Sequence, residues 1–138
     1  MSAIINLTGP QPVNVSLSST DETRDQLHNA VDIGRVDRLD LELVIVSNTA
    51  ATGTALIIGI CTGMQNETED GWLSNCSTPS LNFAPVAVTT GNPTGLTVQH
   101  KSFSGMLRWV RWVVRPVVAG TSGSVSFYIR GMARGCGG

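Results

Sequence analysis

The stretch 38–45, with the sequence RLDLELVI, decides the fold class of this chain. Leu39, Leu41, Leu43 and Ile45 alternate there with arginine, aspartate, glutamate and valine. Successive side chains of a strand point to opposite faces, so this period of two predicts a strand with one face in the core. The stretch is therefore the clearest core strand of the chain.

Seven further β-type stretches surround this strand, bounded by turn-forming residues such as glycine, proline and asparagine. They are predicted over residues 4–7, 13–18, 54–61, 83–88, 96–99, 106–114 and 124–130. Residues 54–61 are apolar almost throughout, which predicts a strand that is buried on both faces. Helical features are confined to residues 19–31, where Ser19 and Glu22 match a capping box. About eight strands and at most one short helix predict an all-β fold, a jelly-roll-like or related antiparallel β-sandwich.

The length of 138 residues and the 41% content of hydrophobic residues suit one core, so a single domain over residues 1–138 is expected. The segments 1–12 and 131–138 are expected to be mobile or ordered by a partner, the second because it is rich in glycine. No apolar run of about 18 residues occurs, so no membrane span is expected. The lack of a signal-type start predicts synthesis in the cytoplasm.

Charged side chains are sorted along the chain. All ten acidic residues precede position 71, whereas six of the nine lysines and arginines follow it. One explanation is that strands distant in sequence are neighbours in a sheet and pair their charges within the chain. The other is that the basic C-terminal part docks on an acidic surface of another copy or of a different protein. The sequence leaves both explanations open.

The stretch 107–115, LRWVRWVVR, is the most unusual part of the chain. On an ideal strand Trp109 and Arg111 share one face while Arg108 and Trp112 share the other. One tryptophan is therefore expected in the core and the other partly exposed. An exposed tryptophan among arginines indicates an interface hot spot, a base-stacking platform or arginine stems packed over an indole ring. The predicted protein-interface residues are Arg108, Trp109, Arg111, Arg115 and Tyr128.

No arrangement of catalytic residues is found, and the sequence predicts that the chain is not an enzyme. The two histidines, His28 and His100, belong to no nucleophile motif, and His100 is expected in a solvated turn. The cluster Glu67, Glu69 and Asp70 lacks the spacing of a calcium loop, so a solvated acidic loop is predicted there.

The three cysteines, Cys61, Cys76 and Cys136, show no C-x-x-C spacing, which argues against a disulfide framework and against a zinc site. Cys61 is expected to be a small buried residue. No phosphate-binding loop occurs and the sequence pI is about 6.0, so neither a cofactor nor a nucleic-acid partner is predicted.

The stretches 107–114, LRWVRWVV, and 120–129, GTSGSVSFYI, resemble the closing hairpin of tailed-phage virion proteins. Small all-β capsid decoration, or cement, proteins are the most similar family. The resemblance implies a structural protein on the exterior of a phage capsid, present in many copies, that bridges neighbouring major capsid proteins. It implies the major capsid protein and further copies of this chain as partners.

Three other functions remain open from the sequence. A tail or head-to-tail component of the virion shares the same composition. A carbohydrate-binding β-sandwich module is the second, because Trp72, Trp109 or Trp112 offers a surface on which a sugar ring can stack. An enzyme that uses His100 or Cys76 is the third.

Overall fold

The computed structural model describes residues 2–17, 22–34, 36–48, 55–73, 79–84, 86–87, 97–116 and 123–135. Ten strands lie within these ranges. They are β1 (Ser2–Asn6), β2 (Val13–Leu17), β3 (Thr23–Arg24), β4 (Val31–Asp32), β5 (Val36–Asn48), β6 (Ala55–Gly63), β7 (Val86–Ala87), β8 (Thr97–Ser104), β9 (Trp109–Pro116) and β10 (Gly123–Gly135). Helical structure in the described part is limited to single 3-10 turns at Leu27–Asn29 and Pro79–Leu81.

The strands form two antiparallel sheets with the connectivity of a jelly roll. Sheet I has the order β1-β10-β5-β8, with β2 also paired to β10, and sheet II has the order β3-β9-β6-β7, with β4 also paired to β9. β1 and β2 lie end to end along one edge of β10, and β3 and β4 do the same along β9. The ten strands therefore fill eight positions, four in each sheet. The predicted all-β sandwich of about eight strands is confirmed.

The core lies between the sheets and takes side chains from both. Leu39, Leu41, Leu43 and Ile45 are at most 3% exposed and pack in one cluster with residues of sheet II. The predicted inward residues of β10, which are Val125, Phe127 and Ile129, are fully buried in the same cluster. The period of two in β5 and β10 thus states correctly which side chains face the core.

β6 confirms the prediction of a strand buried on both faces. Ile58 and Ile60 face the core between the sheets, whereas Cys61 belongs to a second, smaller cluster on the other side of sheet II. Residues 58–63 are all buried. Sheet II must therefore be covered on its outer face as well.

Within residues 19–31, the described part contains strand β3, one 3-10 turn at Leu27–Asn29 and the first residue of β4, which agrees with the expectation of at most one short helix. One expectation about local structure is wrong. The stretches that resemble a closing hairpin contribute β9 and β10, which lie in different sheets and do not pair.

Both terminal segments contain strands. Ser2–Asn6 pairs with β10, and Gly131–Gly135 continues β10 with β5 on its other side. The glycines there do not prevent order, because backbone hydrogen bonds to neighbouring strands offset the entropy of ordering. Gly131 also fits closely, since a Cβ atom at this position would clash with the carbonyl oxygen of Asp40. Residues 136–138 lie outside the described residues.

Candidate binding surface

The outer face of sheet I carries rows of side chains that run across its three long strands. In each row a residue of β10 lies beside one of β5 and then one of β8. The rows are Arg134-Arg38-Ser104, Met132-Asp40-Ser102, Arg130-Glu42-His100 and Tyr128-Val44-Val98. Every one of these side chains is exposed or half-buried. We call these four rows the open face.

Asp40 lies at the centre of the first group of charges on the open face. Arg38 Nε is 3.1 Å from its Oδ1, and Arg134 Nε is 2.5 Å from its Oδ2. Ser102 Oγ donates a further hydrogen bond to Oδ1 at 2.6 Å. The hydrogen bonds from Ser102 and Arg134 hold the pKa of the Asp40 carboxyl below its ordinary value. One ionised carboxylate thus fixes two guanidinium groups at the surface.

Glu42 likewise contacts two side chains of its own row, which are His100 and Arg130. Its Oε2 lies 2.8 Å from His100 Nε2, and its Oε1 lies 3.4 Å from Arg130 Nε. The contact with His100, followed by that with Arg130, lowers the pKa of Glu42. The open face therefore presents three arginines around two carboxylates, which leaves an excess of guanidinium donors toward a partner.

The end row of the open face is apolar. Tyr128 and Val44 are half-buried, and Val98 is 48% exposed. A bulge in the pairing of β5 with β10 places Val46 beside this row, where it is 39% exposed. The guanidinium of Arg130 lies 5.7 Å from the centre of the Tyr128 ring. An aromatic ring flanked by valines and an arginine is typical of a protein-contact surface.

The outer face of sheet II is different, because other segments of the chain lie over it. Leu27 and Ala30 of one segment and Trp72 of another pack against Val113 and Cys61 of the sheet. Burial raises the pKa of the Cys61 thiol to about 11, so this cysteine is the small buried residue that was predicted. We call this surface, with the segments 25–30 and 64–73 that lie on it, the covered face.

Arg111 occupies the middle of the covered face and is only 1% exposed. Its Nη1 and Nη2 donate to the two carboxylate oxygens of Glu69 at 3.0 and 2.7 Å. Nη1 also donates to the carbonyl oxygen of Asp25 at 2.7 Å, and the guanidinium lies 4.0 Å from the centre of the Trp72 ring. Arg111 therefore connects both covering segments to the sheet, and its contact lowers the pKa of Glu69.

The segment that supplies Glu69 and Trp72 is held by its own hydrogen bonds. Gln65 donates to the carbonyl oxygens of Thr68 and Asp70, and Trp72 Nε1 donates to the Thr68 carbonyl at 3.1 Å. Gly63 lies under the indole, where a Cβ atom would be 2.7 Å from Trp72. The acidic loop predicted to be solvated thus contains a structural carboxylate, Glu69.

The structure separates the predicted interface residues. Tyr128 lies on the open face, whereas Arg108, Trp109, Arg111 and Arg115 belong to β9 of sheet II or to the residue just before it. Arg111 is 1% exposed and contacts Glu69, the Asp25 carbonyl and Trp72 within the chain. The expectation of one core and one partly exposed tryptophan holds, since Trp112 is buried and Trp109 is half-buried.

Arg108 and Arg115 remain at the surface. Arg108 forms a bidentate pair with Asp32, with Nη2 2.8 Å from Oδ2, and its guanidinium lies 5.5 Å from the centre of the Trp109 ring. Arg115 is half-buried. Arginine guanidinium groups therefore lie near the ring of Trp109 and, outside the predicted stretch, near the ring of Trp72.

The sorted charges are explained to a large extent by pairing within the chain. Four of the C-terminal arginines contact acidic residues from the first half of the sequence. The pairs are Arg108 with Asp32, Arg111 with Glu69, Arg130 with Glu42 and Arg134 with Asp40. Sequence reasoning did not identify Arg130 and Arg134, two of the three arginines of the open face, as site residues, although their alternation with inward residues of β10 could have done so.

The chain is similar to several solved structures, of which one is a carbohydrate-binding module. The chain aligns with a carbohydrate-binding module from Cellvibrio mixtus lichenase 5A, solved in complex with cellotriose, over 97% of this chain and 98% of that one. The sequence identity is 11% and the TM-score is 0.46. No protein-family model and no curated protein matches the chain.

No reactive site is formed by the other residues that the sequence suggested, as far as the described part of the chain shows. His100 is part of β8 and pairs with Glu42, so the expected solvated turn is wrong, and Cys76 lies outside the described residues. Among the described residues, no group of three histidine, cysteine, aspartate or glutamate side chains is placed to hold a metal ion. In the same part of the chain, no helix has the length and apolar character needed to cross a membrane.

Proposed function

We propose that this chain is a structural virion protein that decorates the outside of a phage capsid and cements neighbouring major capsid proteins through its open face. The observation that carries the proposal is the contrast between the two outer faces of the sandwich. One is covered by segments of the chain itself, whereas the other presents an ordered array of charges and an apolar row.

The chemistry of the open face defines the surface that fits it. Arg38, Arg130 and Arg134 each pair with one of two carboxylates, which reduces the side-chain freedom that they lose on meeting a partner. Their excess of donors favours a capsid surface that carries aspartate or glutamate. Tyr128 and the neighbouring valines supply the apolar contact, and repetition over many sites strengthens a weak single contact.

Sedimentation of the purified chain with expanded capsids that lack it tests the proposal. We expect saturable binding that weakens as salt increases, because screening acts on exposed charges. Tyr128→Ala and Arg130→Glu should each weaken binding by about tenfold or more. Met64→Ala is the matched control, since Met64 is 65% exposed but lies outside the open face, and it should bind like the unchanged chain.

Two results would overturn the proposal. One is a folded chain that stays in the supernatant with these capsids at every salt concentration. The other is capsid binding that both open-face variants retain in full while the Met64 variant loses it.

A further inference from the structure

A cleft of about 330 Å³ opens between the edges of the two sheets. The segment that follows β1, residues 6–9, forms one wall, and the segment that follows β3, residues 25–29, contributes to the other. Trp112 and Leu7 line the cleft from the core side and are 6% and 4% exposed. The volume lies at the lower end of the range for small-molecule sites.

Polar side chains surround this apolar base, and two of them are fixed to each other. Asp25 Oδ1 accepts hydrogen bonds from the Gln26 backbone N–H at 2.8 Å and from Asn29 Nδ2 at 3.0 Å. The second carboxylate oxygen of Asp25 and the amide oxygen of Asn29 take no part in these bonds. The rim therefore offers hydrogen-bond acceptors on two neighbouring side chains, Asp25 and Asn29.

The opposite wall has the same polar character. Asn6 Oδ1 accepts bonds from the backbone N–H groups of Thr8 and Gly9, both at 3.1 Å, and Asn6 Nδ2 donates to the Gly9 carbonyl at 2.9 Å. These hydrogen bonds lie within the turn 6–9 and stabilise the shape of this wall. The cleft is thus formed before any ligand arrives, which reduces the entropic cost of binding.

The backbone of Asp25 is tied to the sheet behind it. Its N–H donates to the carbonyl of Trp112 at 3.1 Å, and its own carbonyl accepts from the buried Arg111. Through its bond to the Asp25 carbonyl, Arg111 acts as a positioning residue for the rim. Asp25 therefore belongs both to the covered face and to the cleft.

We propose that this cleft binds a neutral saccharide ring. A sugar ring has an apolar C–H face that suits the indole and aliphatic base, and hydroxyl donors that suit the acceptors of Asp25 and Asn29. The carboxylate of Asp25 disfavours anionic ligands, and the polar rim disfavours purely apolar ones. The site is separate from the open face and would give the chain a second binding activity.

Nuclear magnetic resonance of the ¹⁵N-labelled chain tests the proposal with glucose, galactose, mannose and N-acetylglucosamine as probes. The chain has three tryptophans, and their indole N–H signals can be assigned by single replacements with phenylalanine. We expect at least one of these sugars to shift the signals of Trp112 and of the Asn29 side-chain amide, with a dissociation constant on the order of 1 mM. Trp109 should be unaffected.

Asn29→Ala is the informative variant and His28→Ala is its control. Both residues are exposed and lie in the same 3-10 turn, but His28 does not line the cleft. Asn29→Ala should weaken sugar binding by about tenfold, whereas His28→Ala should leave it unchanged. Tyr128→Ala, which is expected to reduce capsid binding, should also leave sugar binding unchanged, so the two proposals fail separately.

Three outcomes would overturn the proposal. The first is the absence of any shift with all four sugars at tens of millimolar. The second is an equal response to glycerol, which has hydroxyl groups but no ring. The third is a shift that Asn29→Ala and His28→Ala reduce to the same extent.

Discussion

The two outer faces of the sandwich bear the same kinds of side chains in opposite environments. On the covered face Arg111 is 1% exposed, and it is held by Glu69, by the Asp25 carbonyl and by the Trp72 ring. On the open face Arg130 and its partner Glu42 are accessible to solvent. The comparison teaches that an arginine on the outer side of a strand is structural or available for binding according to what other segments lie over it.

The largest expected effect comes from breaking the buried pair of the covered face. Glu69→Gln leaves the charge of Arg111 buried with a weaker partner, and we expect a loss of about 2–3 kcal/mol in the free energy of unfolding. The value lies toward the low end for buried pairs because the Glu69 side chain is 55% exposed. Chemical denaturation measures it. On the open face, Glu42→Gln is the matched change and should cost less than about 1 kcal/mol.

A smaller loss is expected from crowding the indole that covers Arg111. In Gly63→Ala the new Cβ would lie 2.7 Å from the Trp72 ring, so the ring must shift away from the guanidinium. We expect about 1–2 kcal/mol of destabilisation, together with a change in the near-ultraviolet circular dichroism of tryptophan. An unchanged denaturation midpoint and spectrum would mean that Trp72 does not pack on Gly63 in solution.

The contribution of the Arg111–Glu69 pair to stability should depend on pH. Arg111 lowers the pKa of Glu69 below its ordinary value of 4.5, so the pair contributes its full stability above pH 4.5. That contribution is lost as the pH falls through the lower pKa of the folded state. Thermal unfolding between pH 6 and about 3 should therefore show a shallower loss of stability in Glu69→Gln than in the unchanged chain. Parallel curves would contradict this role of Glu69.

The smallest effect on stability is expected from Tyr128→Ala. Tyr128 is half-buried on the open face, and its removal should cost about 1 kcal/mol or less, although capsid binding should fall about tenfold or more. Denaturation and capsid sedimentation of the same preparation give the two values. A large loss of stability would show that the open face is held together like the covered one.

The sequence predicts the fold well where alternation is regular. Leu39 to Ile45 and Val125 to Ile129 follow a period of two, and their inward residues are the ones that the core buries. It fails for β8, which was predicted over residues 96–99 but extends to Ser104. The alternation of apolar and polar residues is interrupted there, because two polar residues, Gln99 and Lys101, face inward at the sheet edge. They form hydrogen bonds with Ala84 and Asn82.

The candidate sites are less predictable because their partners are distant in sequence. Arg111 and Glu69 are separated by 42 residues, and no local pattern indicates that the loop of Glu69 folds over β9. The cleft likewise combines Trp112 with residues 25–29, a segment for which the sequence predicted no more than one short helix. Tyr128 could be selected from its position on an alternating strand, whereas the pairing of Arg130 and Arg134 with Glu42 and Asp40 required the register of the sheet.

The most direct test of the open face as the docking surface is hydroxyl-radical footprinting of the chain free and bound to capsids. Methionine and tyrosine report both faces, because Met132 and Tyr128 lie in the rows of the open face and Met64 lies in the segment on the covered face. We expect binding to protect Met132 and Tyr128 from oxidation and to leave Met64 unchanged. Protection of Met64 alone would contradict the assignment and place the contact on the other side of the sandwich.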